Sequence, residues 1–279
     1  MVIIKLQGGL GNQMFQYASA KAIALHRKQE LKIDHSNFET YDLHSYGLDH
    51  FNIKAEKQLI SSKPTFFNKL ALKYGLKKEH THNETDFKFN ENKQIFNIKT
   101  NDLILHGYYQ TEKYFKKYRN EILADFEIKG ALKPETEAML SKIRSTNAVS
   151  IHIRRGDYLL HDVHNTAKDA YYKAAMEFIE SKIENPIYYL FSDDMKWVKE
   201  NFKSKHKMVY VDFNDASTNY QDIKLMSNCK HNVIANSSFS WWSAWLNKNP
   251  EKLVIAPKVW FNGDMYDYTD IVPETWYKF

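Results

Sequence analysis

In the stretch VSIHIRRGDYL, residues 149–159, an alternation of apolar and polar residues is followed by two arginines, a glycine and an aspartate. Such alternation predicts a β-strand, here over residues 148–154. Ligands of open α/β sheets lie beyond the carboxyl ends of the strands. The charged end of this strand therefore indicates a polar site at one edge of a sheet.

The pattern around this strand is regular as far as the carboxyl terminus. Strands are predicted at residues 148–154, 187–191, 207–211, 232–235 and 252–256, with helices at 168–184, 195–202, 217–228 and 238–247. Strands that alternate with helices at this spacing indicate right-handed crossovers and a parallel, doubly wound sheet.

The amino-terminal part begins with a second unit of the same kind. Strands are predicted at residues 2–6 and 31–34, a strand running into a turn at 103–110, and helices at 12–27, 66–76 and 111–125. Residues 36–100 are polar and weakly periodic. The expected fold is α/β, with two Rossmann-like lobes whose parallel sheets face a cleft, comprising residues 1–145 and 146–279.

Composition places the chain among globular proteins. It has 279 residues, of which 43% are hydrophobic and 15% aromatic, and its formal charge is +5. That charge is spread out, as on a solvated surface, with at most a modest preference for anionic ligands. One cysteine, Cys229, excludes an internal disulfide and fits a reducing compartment. The first residues lack the features of a signal peptide, and no stretch approaches the ~20 apolar residues of a membrane span. We expect a cytoplasmic protein, at most peripherally associated with a membrane.

Four predicted strands end in groups that carry charge or form hydrogen bonds. They are followed by Gly8-Gly9-Leu10-Gly11-Asn12, Arg154-Arg155-Gly156-Asp157, Ser192-Asp193-Asp194 and Asn236-Ser237-Ser238-Phe239-Ser240. Each group alone is weak evidence. Together they predict a polar site at the carboxyl edges of the sheets.

The segment NSSFSWWSAWL, residues 236–246, enters a helix through serines, which are favoured N-caps. The amino terminus of a helix also suits a phosphate group. Capping alone and phosphate binding are equal alternatives for these serines. The three tryptophans that follow are more typical of core packing than of a sugar-binding surface.

Arg154 and Arg155 leave the strand on opposite sides, because successive residues of a strand alternate in direction. A guanidinium fork suits a diphosphate, and a surface salt bridge is the plainer alternative. The triplet RGD also occurs in cell-adhesion motifs, but here it follows a strand of an α/β pattern. Of the adjacent Asp193 and Asp194, we expect one to cap the next helix and the other to remain available for a ligand.

The glycines of GGLGNQ permit a second interpretation. Gly9 and Gly11 match part of a dinucleotide-binding fingerprint, with Asp34 placed for a ribose, but Met14 occupies the third glycine position. A dinucleotide-binding oxidoreductase is therefore an alternative. The glycines also fit a tight turn that lets a ligand approach the main chain.

Other classes of function have little support. No cluster has zinc-ligand spacing, and the chain has no Asp-x-Asp pair of the kind on which many nucleotide-sugar enzymes hold a divalent cation. We expect no metal and no further cofactor. No nucleic-acid-binding motif is present. A non-catalytic carbohydrate-binding protein, using the many Trp and Tyr residues, is a further alternative.

Several motifs in order resemble those of the α-1,2-fucosyltransferases, glycosyltransferase family 11, of the bacterial type. They are GGLGNQMFQYA (8–18), GYYQTEKYF (107–115), HIRRGDY (152–158), FSDD (191–194) and NSSFSWWSAWLN (236–247). The resemblance covers most of the chain outside residues 36–100.

This resemblance implies a GT-B-like fold and an enzyme of lipopolysaccharide or oligosaccharide biosynthesis. It implies inverting, metal-independent transfer of L-fucose from GDP-L-fucose to the 2-hydroxyl of a terminal β-galactoside. The donor would bind to the carboxyl-terminal lobe, and the amino-terminal lobe would serve the acceptor. Lactose, lacto-N-biose and lipopolysaccharide galactosides are all candidate acceptors, and residues 36–100 are candidates for choosing among them.

The resemblance also implies roles for particular residues. Arg154 would bind the diphosphate, His152 would bind the nucleotide or support Arg154, and Asn12 would lie near the reacting centre. Asp193 or Asp194 would contact the guanosine. The remaining expected donor-site residues are Gly9, Gly11, Asn236, Ser237, Ser238 and Phe239. Asp157 is a candidate general base, with the orientation of an arginine as an equal alternative.

Overall fold

A computed structural model describes residues 1–40, 44–59, 78–85, 87–164 and 166–279. The helix predicted at residues 66–76 lies outside the described residues. The chain forms two compact units: Met1–Lys129 with Asp267–Ile271, and Gly130–Tyr266 with Val272–Phe279.

The first unit is built on a parallel sheet. Its elements are β1 (Val2–Lys5), α1 (Leu10–Arg27), β2 (Leu31–Asp34), β3 (Glu56–Gln58), β4 (Glu79–Asn83), β5 (Asp102–His106) and α2 (Arg119–Asp125). The described strands run in the order β3-β2-β1-β5-β4, and every pair is parallel. The apolar strand β1 lies in the middle of this sheet, where both of its faces are covered.

The second unit repeats this plan with more helices. Its elements are α3 (Pro134–Arg144), β6 (Ala148–Ile153), α4 (Asp169–Lys182), β7 (Ile187–Ser192), α5 (Met195–Asn201), β8 (Met208–Tyr210), α6 (Asn219–Ser227), β9 (His231–Val233), α7 (Ser238–Leu246), β10 (Val254–Ala256) and β11 (Tyr277–Lys278). The described strands run in the parallel order β11-β10-β9-β6-β7-β8.

Strand β6 forms the centre of this second sheet and is buried along its whole length. Val149, Ile151 and Ile153 pack on one face against α4 and α5. Ala148 packs on the other face in a core that includes residues of α3 and α6. Each large aliphatic side chain buried in this way contributes about 1.5–3 kcal/mol. The strand is therefore a rigid support for whatever follows it.

The predicted α/β fold with two parallel-sheet lobes is confirmed. Every strand and helix predicted from Ala148 onward is present, with small shifts at the ends. The main segment of the first unit ends at Lys129, whereas the boundary was predicted at residue 145; Leu140 and Ile143 of α3 pack into a core of the second unit.

Some predictions for the first unit were wrong in detail. The strand predicted to run into a turn within residues 103–110 is present and ends at His106, but the helix predicted over 111–125 consists of two short 3₁₀ turns followed by α2. Strands β3 and β4 were not predicted, because their short sequences are polar and largely exposed. Over the described residues, no helix is both long enough and apolar enough to cross a membrane.

Candidate functional site

The two arginines after β6 have separate partners. Nη1 of Arg154 lies 3.1 Å from Oδ2 of Asp193, and the guanidinium carbon lies 5.4 Å from the ring centroid of Tyr158. Nε of Arg155 donates to Oδ2 of Asp194 at 3.2 Å. This divergence follows from the alternating direction of side chains along a strand, as predicted.

Asp193 holds the end of β6 in place through both of its carboxylate oxygens. Besides the ion pair with Arg154, its Oδ1 accepts the main-chain N–H of Arg155 at 2.9 Å. A Cβ atom at position 156 would lie 2.6 Å from Oδ2 of Asp193. Glycine follows the arginines because the carboxylate of Asp193 occupies the space of a side chain there.

Asp194 has the capping role expected of one of the two aspartates. Its Oδ1 accepts the N–H of Trp197 at 3.1 Å, in the first turn of α5. The Arg155 guanidinium lies 3.5 Å from the ring centroid of Trp197, a cation–π contact. The other aspartate, Asp193, contacts Arg154 and the N–H of Arg155 in this structure, and its contact with a ligand stays a prediction.

His152 is a buried histidine on the same side of β6 as Arg154. Burial, and to a lesser extent the charge of Arg154, lower its pKa to about 3, so the ring is neutral at physiological pH. The ring centroid lies 5.6 Å from that of Phe239. Its Nδ1 has no hydrogen-bond partner among the described residues. A buried polar atom without a partner indicates a place for a ligand or a bound water.

The segment after β9 is held by its own side chains. Nδ2 of Asn236 donates to the main-chain oxygens of His164 and Trp260, both at 2.9 Å, and its main-chain oxygen accepts from Tyr158 at 3.3 Å. Ser237 is the N-cap of α7, and its Oγ accepts the N–H of Phe239 at 3.3 Å. Asn236 is therefore a structural link, and Ser237 caps the helix as its residue type predicts.

The tryptophans of α7 are core residues, as predicted. Trp241 and Trp242 are fully buried, and Trp245 is nearly so. Their rings pack against one another, with centroids 5.1 Å apart for Trp241 and Trp242. This packing anchors the carboxyl part of α7 and leaves its first turn at the edge of the sheet.

A cavity of about 390 Å³ lies beside the end of β6. It is lined by Ile153, Arg154, Arg155, Leu159, Ala167, Lys168, Asp169, Ala170, Tyr172 and Trp197. Arg154, Arg155 and Lys168 bring positive charge to this lining, and Asp169, the first residue of α4, brings negative charge.

The glycine turn of the first unit leads into α1. Gly8 has φ +76, which a glycine adopts without strain, and Gly9 is the N-cap of the helix. Gly11 is buried within the first turn. Side-chain amides fix this turn: Nε2 of Gln13 donates to the main-chain oxygen of Gly8 at 2.9 Å, and Oε1 of Gln16 accepts the N–H of Gln7 at 3.0 Å.

Asn12 projects from the first turn of α1 and is held by a glutamine. Oδ1 of Asn12 accepts from Nε2 of Gln110 at 2.7 Å. A Cβ atom at Gly8 would lie 2.8 Å from Nδ2 of Asn12, so the glycine makes room for the Asn12 amide.

Gln110, which holds Asn12, and Glu84, which binds the segment before Gln110, were not among the predicted site residues. Gln110 belongs to GYYQTEKYF, a segment already noted for its resemblance to the family. Glu84 follows the unpredicted strand β4, and its carboxylate accepts the N–H groups of Tyr108 and Tyr109. Glu84 is a carboxylate at the end of a strand, but this feature could not point to it because strand β4 was not predicted.

The predicted site residues therefore form two groups. In the second unit, His152 contacts Phe239, and Arg154 is linked through Tyr158 to Asn236. Asn12, Gly9 and Gly11 form the start of α1 in the first unit. Asp157 begins the 3₁₀ turn that follows Gly156.

A family model described as glycosyl transferase family 11 matches residues 1–278. The chain belongs to glycosyltransferase family 11. Membership makes it a glycosyltransferase and sets aside both the oxidoreductase and the non-catalytic carbohydrate-binding alternatives. The predicted family resemblance is thus confirmed.

This family 11 chain is similar to curated proteins over most or all of its length. It is 32% identical to an alpha-1,2-colitosyltransferase of Escherichia coli, with 100% of this chain and 98% of the relative covered. It is also 32% identical to the O-antigen biosynthesis glycosyltransferase WbnK of Escherichia coli, with 93% and 94% covered. A galactoside alpha-(1,2)-fucosyltransferase 1 of Mus musculus is 27% identical, with 86% and 61% covered.

Solved structures share the fold of this family 11 glycosyltransferase. POFUT1 in complex with GDP-fucose aligns with a TM-score of 0.53 at 11% identity, covering 91% of this chain and 97% of that chain. The alpha-1,6-fucosyltransferase NodZ co-crystallized with GDP aligns with a TM-score of 0.52 at 13% identity, covering 87% and 91%. At these identities the likeness concerns the fold, and it agrees with the predicted GT-B-like class.

Proposed function

We propose that this glycosyltransferase moves L-fucose from GDP-L-fucose to the 2-hydroxyl of a terminal β-galactoside, with inversion at C1 and without a metal. One observation in the structure carries the proposal. At the end of β6, the Arg154 guanidinium follows the buried, neutral His152, whose Nδ1 has no partner among the described residues. The family and the relatives named for α-1,2 transfer supply the linkage.

Arg154 is proposed to bind the diphosphate of the donor. The side chains of Arg154 and Asp193 are about a third and a quarter exposed, so their ion pair is weak and a diphosphate can compete for the guanidinium. His152 would offer its unpartnered nitrogen to the nucleotide. Asp193 or Asp194 would contact the guanosine. The donor would then replace part of the contact that this aspartate makes with Arg154 or Arg155.

The start of α7 is proposed as a second site for the phosphates. Ser237, Ser238 and Phe239 form the amino-terminal end of a nine-residue helix, where main-chain N–H groups and the helix dipole favour negative charge. The N–H of Phe239 already donates to Ser237, so the cap and the phosphate would share these donors. Asn236 would support this cradle through its hydrogen bonds to the neighbouring loops.

The proposed reaction is a single displacement. The acceptor 2-hydroxyl oxygen forms a bond to C1 of the sugar, and the bond from C1 to the diphosphate oxygen breaks. The electron pair leaves with GDP, and the hydroxyl proton passes to a base. Negative charge grows on the diphosphate, so preorganised positive charge from Arg154 supplies the largest stabilisation.

Residues for the acceptor are proposed in the first unit. Asn12 would align the acceptor hydroxyl, and Gly9 and Gly11 would allow the substrate to approach the main chain. Asp157 is the candidate base, with the orientation of an arginine as its alternative role. We further propose a cytoplasmic enzyme, at most peripherally associated with a membrane, that acts on lipopolysaccharide or oligosaccharide acceptors.

A second candidate donor is GDP-colitose. It is favoured by the relative named as an alpha-1,2-colitosyltransferase, which matches this chain over its full length. Colitose lacks the 3-hydroxyl group of fucose. The two donors would therefore be distinguished by the residues around the sugar, and the diphosphate site would serve both.

The proposal is tested by measuring GDP release from GDP-fucose and from GDP-colitose over a panel of galactosides, with and without EDTA. We expect release that requires both a fucosyl donor and a terminal β-galactoside and that persists in EDTA. Arg154→Ala should lower kcat/KM by about a hundredfold or more. Arg144→Ala, which changes an exposed arginine of α3, is the matched control. If GDP-colitose supports turnover and GDP-fucose does not, the transferred sugar is colitose and not fucose.

A further inference from the structure

We propose that Glu84 is a positioning residue for Asn12, acting through the segment Gly107–Gln110. The inference rests on the proposed function, in which Asn12 aligns the acceptor. The structure assigns this role through hydrogen bonds from Glu84 to the main chain of this segment and from the Gln110 side chain to Asn12, all within the first unit.

The first step joins Glu84 to the main chain after β5. Oε2 of Glu84 accepts the N–H of Tyr108 at 2.6 Å, and Oε1 and Oε2 accept the N–H of Tyr109, both at 3.0 Å. Strands β4 and β5 are paired as far as Asn83 and His106, so the carboxylate and this segment leave adjacent strand ends together. A Cβ at Gly107 would collide with Cβ of Glu84. Glycine at 107 thus permits the close approach.

The second step concerns an unusual backbone conformation at Tyr109. This residue is fully buried and has φ +53, in the left-handed region that large side chains seldom adopt. Such a conformation costs about 1–3 kcal/mol and persists where the surroundings hold it, often at functional sites. The Tyr109 N–H is held by Glu84, its hydroxyl donates to the main-chain oxygen of His82, and its main-chain oxygen accepts from Ser19.

The third step carries this geometry to Asn12. Gln110 directly follows Tyr109 and is largely buried, and its Nε2 donates to Oδ1 of Asn12 at 2.7 Å. Because the Asn12 oxygen accepts from Gln110, the amide nitrogen is the group that Asn12 offers to a ligand. Asn12 is therefore oriented as a hydrogen-bond donor towards an oxygen of the substrate.

The role of Glu84 depends on the two acceptor oxygens of its ionised carboxylate, the form that predominates above pH 7. A glutamine at 84 has nearly the same shape, but it replaces one oxygen with an NH₂ group that would face a main-chain N–H. The segment must then shift, and the displacement reaches Asn12 through Gln110. A shift of about 1 Å in a positioning group costs about a hundredfold in rate.

The test compares Glu84→Gln and Gln110→Ala with Glu79→Gln, which changes an exposed carboxylate on the same strand. We expect kcat for fucosyl transfer to fall about tenfold to a hundredfold in the first two variants. We expect the affinity for GDP, measured by calorimetry, to remain that of the wild type. Glu79→Gln should behave as the wild type. Thermal unfolding of each variant separates loss of positioning from loss of folding.

A double-mutant cycle with Asn12→Ala provides the decisive readout. If Glu84 acts through Asn12, Glu84→Gln lowers kcat in the wild-type background and causes little further loss in the Asn12→Ala background. Additive losses, or wild-type kcat in Glu84→Gln, would overturn the inference. Should Glu84→Gln fail to fold, Gln110→Ala takes its place in the cycle. A wild type that transfers no sugar refutes the proposed function, whereas an active wild type with an additive cycle refutes this inference alone.

Discussion

The carboxylate of Asp193 contacts the Arg154 guanidinium through one oxygen, at 3.1 Å, and the N–H of Arg155 through the other, at 2.9 Å. The side chain of the residue that follows β7 thus contacts both the Arg154 side chain and the main chain just beyond the end of β6. We interpret Asp193 as the residue that holds Arg154 ready for the diphosphate of the donor.

The first prediction concerns the two functions of this carboxylate. Asp193→Ala should lower the affinity for GDP about tenfold, about 1.4 kcal/mol, because the N–H of Arg155 loses its acceptor and the main chain that positions Arg154 is no longer held. Asp193→Asn keeps one oxygen for that N–H and should lose less. Calorimetry with GDP checks both variants, with Asp212→Ala, in an exposed ion pair with Lys199, as the control. Equal losses in the two variants would indicate instead that Asp193 contacts the guanine base.

The second prediction concerns Gly156. An alanine there places Cβ 2.6 Å from Oδ2 of Asp193, so the Asp193 carboxylate must move and its contact with Arg154 must loosen. We expect a loss of about 1–3 kcal/mol in the free energy of unfolding and weaker GDP binding.

Urea unfolding and GDP titration measure these two effects of Gly156→Ala. Gly130→Ala is the control, because nothing lies within 4 Å of a Cβ there although φ is +76. It should lower stability through backbone strain and leave GDP binding intact. A Gly156→Ala protein that binds GDP as the wild type does would show that the contact is not needed.

The third prediction concerns the pH dependence contributed by His152. Its pKa falls from 6.5 in the unfolded chain to about 3 in the folded protein, so the unfolded state binds more protons between these values. Above pH 6.5 the ring is neutral in both states. As the pH falls from 6.5 towards 3, the free energy of unfolding decreases by about 1.4 kcal/mol per pH unit. His152→Gln should remove this part of the difference between pH 7 and pH 5 in urea unfolding. An unchanged difference would mean that the pKa of His152 is not lowered in the folded protein.

The fourth prediction has the opposite sign and concerns Glu84. Burial raises its pKa from 4.5 to about 7, although the N–H groups of Tyr109 and Tyr108 act to lower it. The folded state then binds more protons, so stability from this group falls as the pH rises from 4.5 to 7. The free energy of unfolding of Glu84→Gln relative to the wild type should therefore rise over that range. A pH-independent difference would contradict the raised pKa.

The second unit was predictable because its strands and helices alternate in short, distinct segments. The partner of Arg154 was not predicted, although it follows from the sheet. Ile153 of β6 pairs with Ser192 of β7, so the next residues, Arg154 and Asp193, lie side by side. That inference needs the order and register of the strands in the sheet. Predicting each strand from its own residues does not supply them.

The Glu84 arrangement was beyond sequence reasoning for a different reason. Strand β4, EHTHN, has no apolar face, and its pairing with β5 depends on contacts between residues distant in the chain. Propensity therefore gives no signal for the strand. The conformation of Tyr109 is likewise imposed by its surroundings, since a tyrosine seldom adopts a positive φ by itself.

The central claim, that Arg154 receives the diphosphate of the donor, is tested most directly by a crystal structure of the protein with GDP bound. We predict phosphate oxygens within hydrogen-bond distance of the Arg154 guanidinium, with the Arg154 contact to Oδ2 of Asp193 lengthened or broken. GDP bound elsewhere, with the Arg154–Asp193 ion pair intact, would contradict the account.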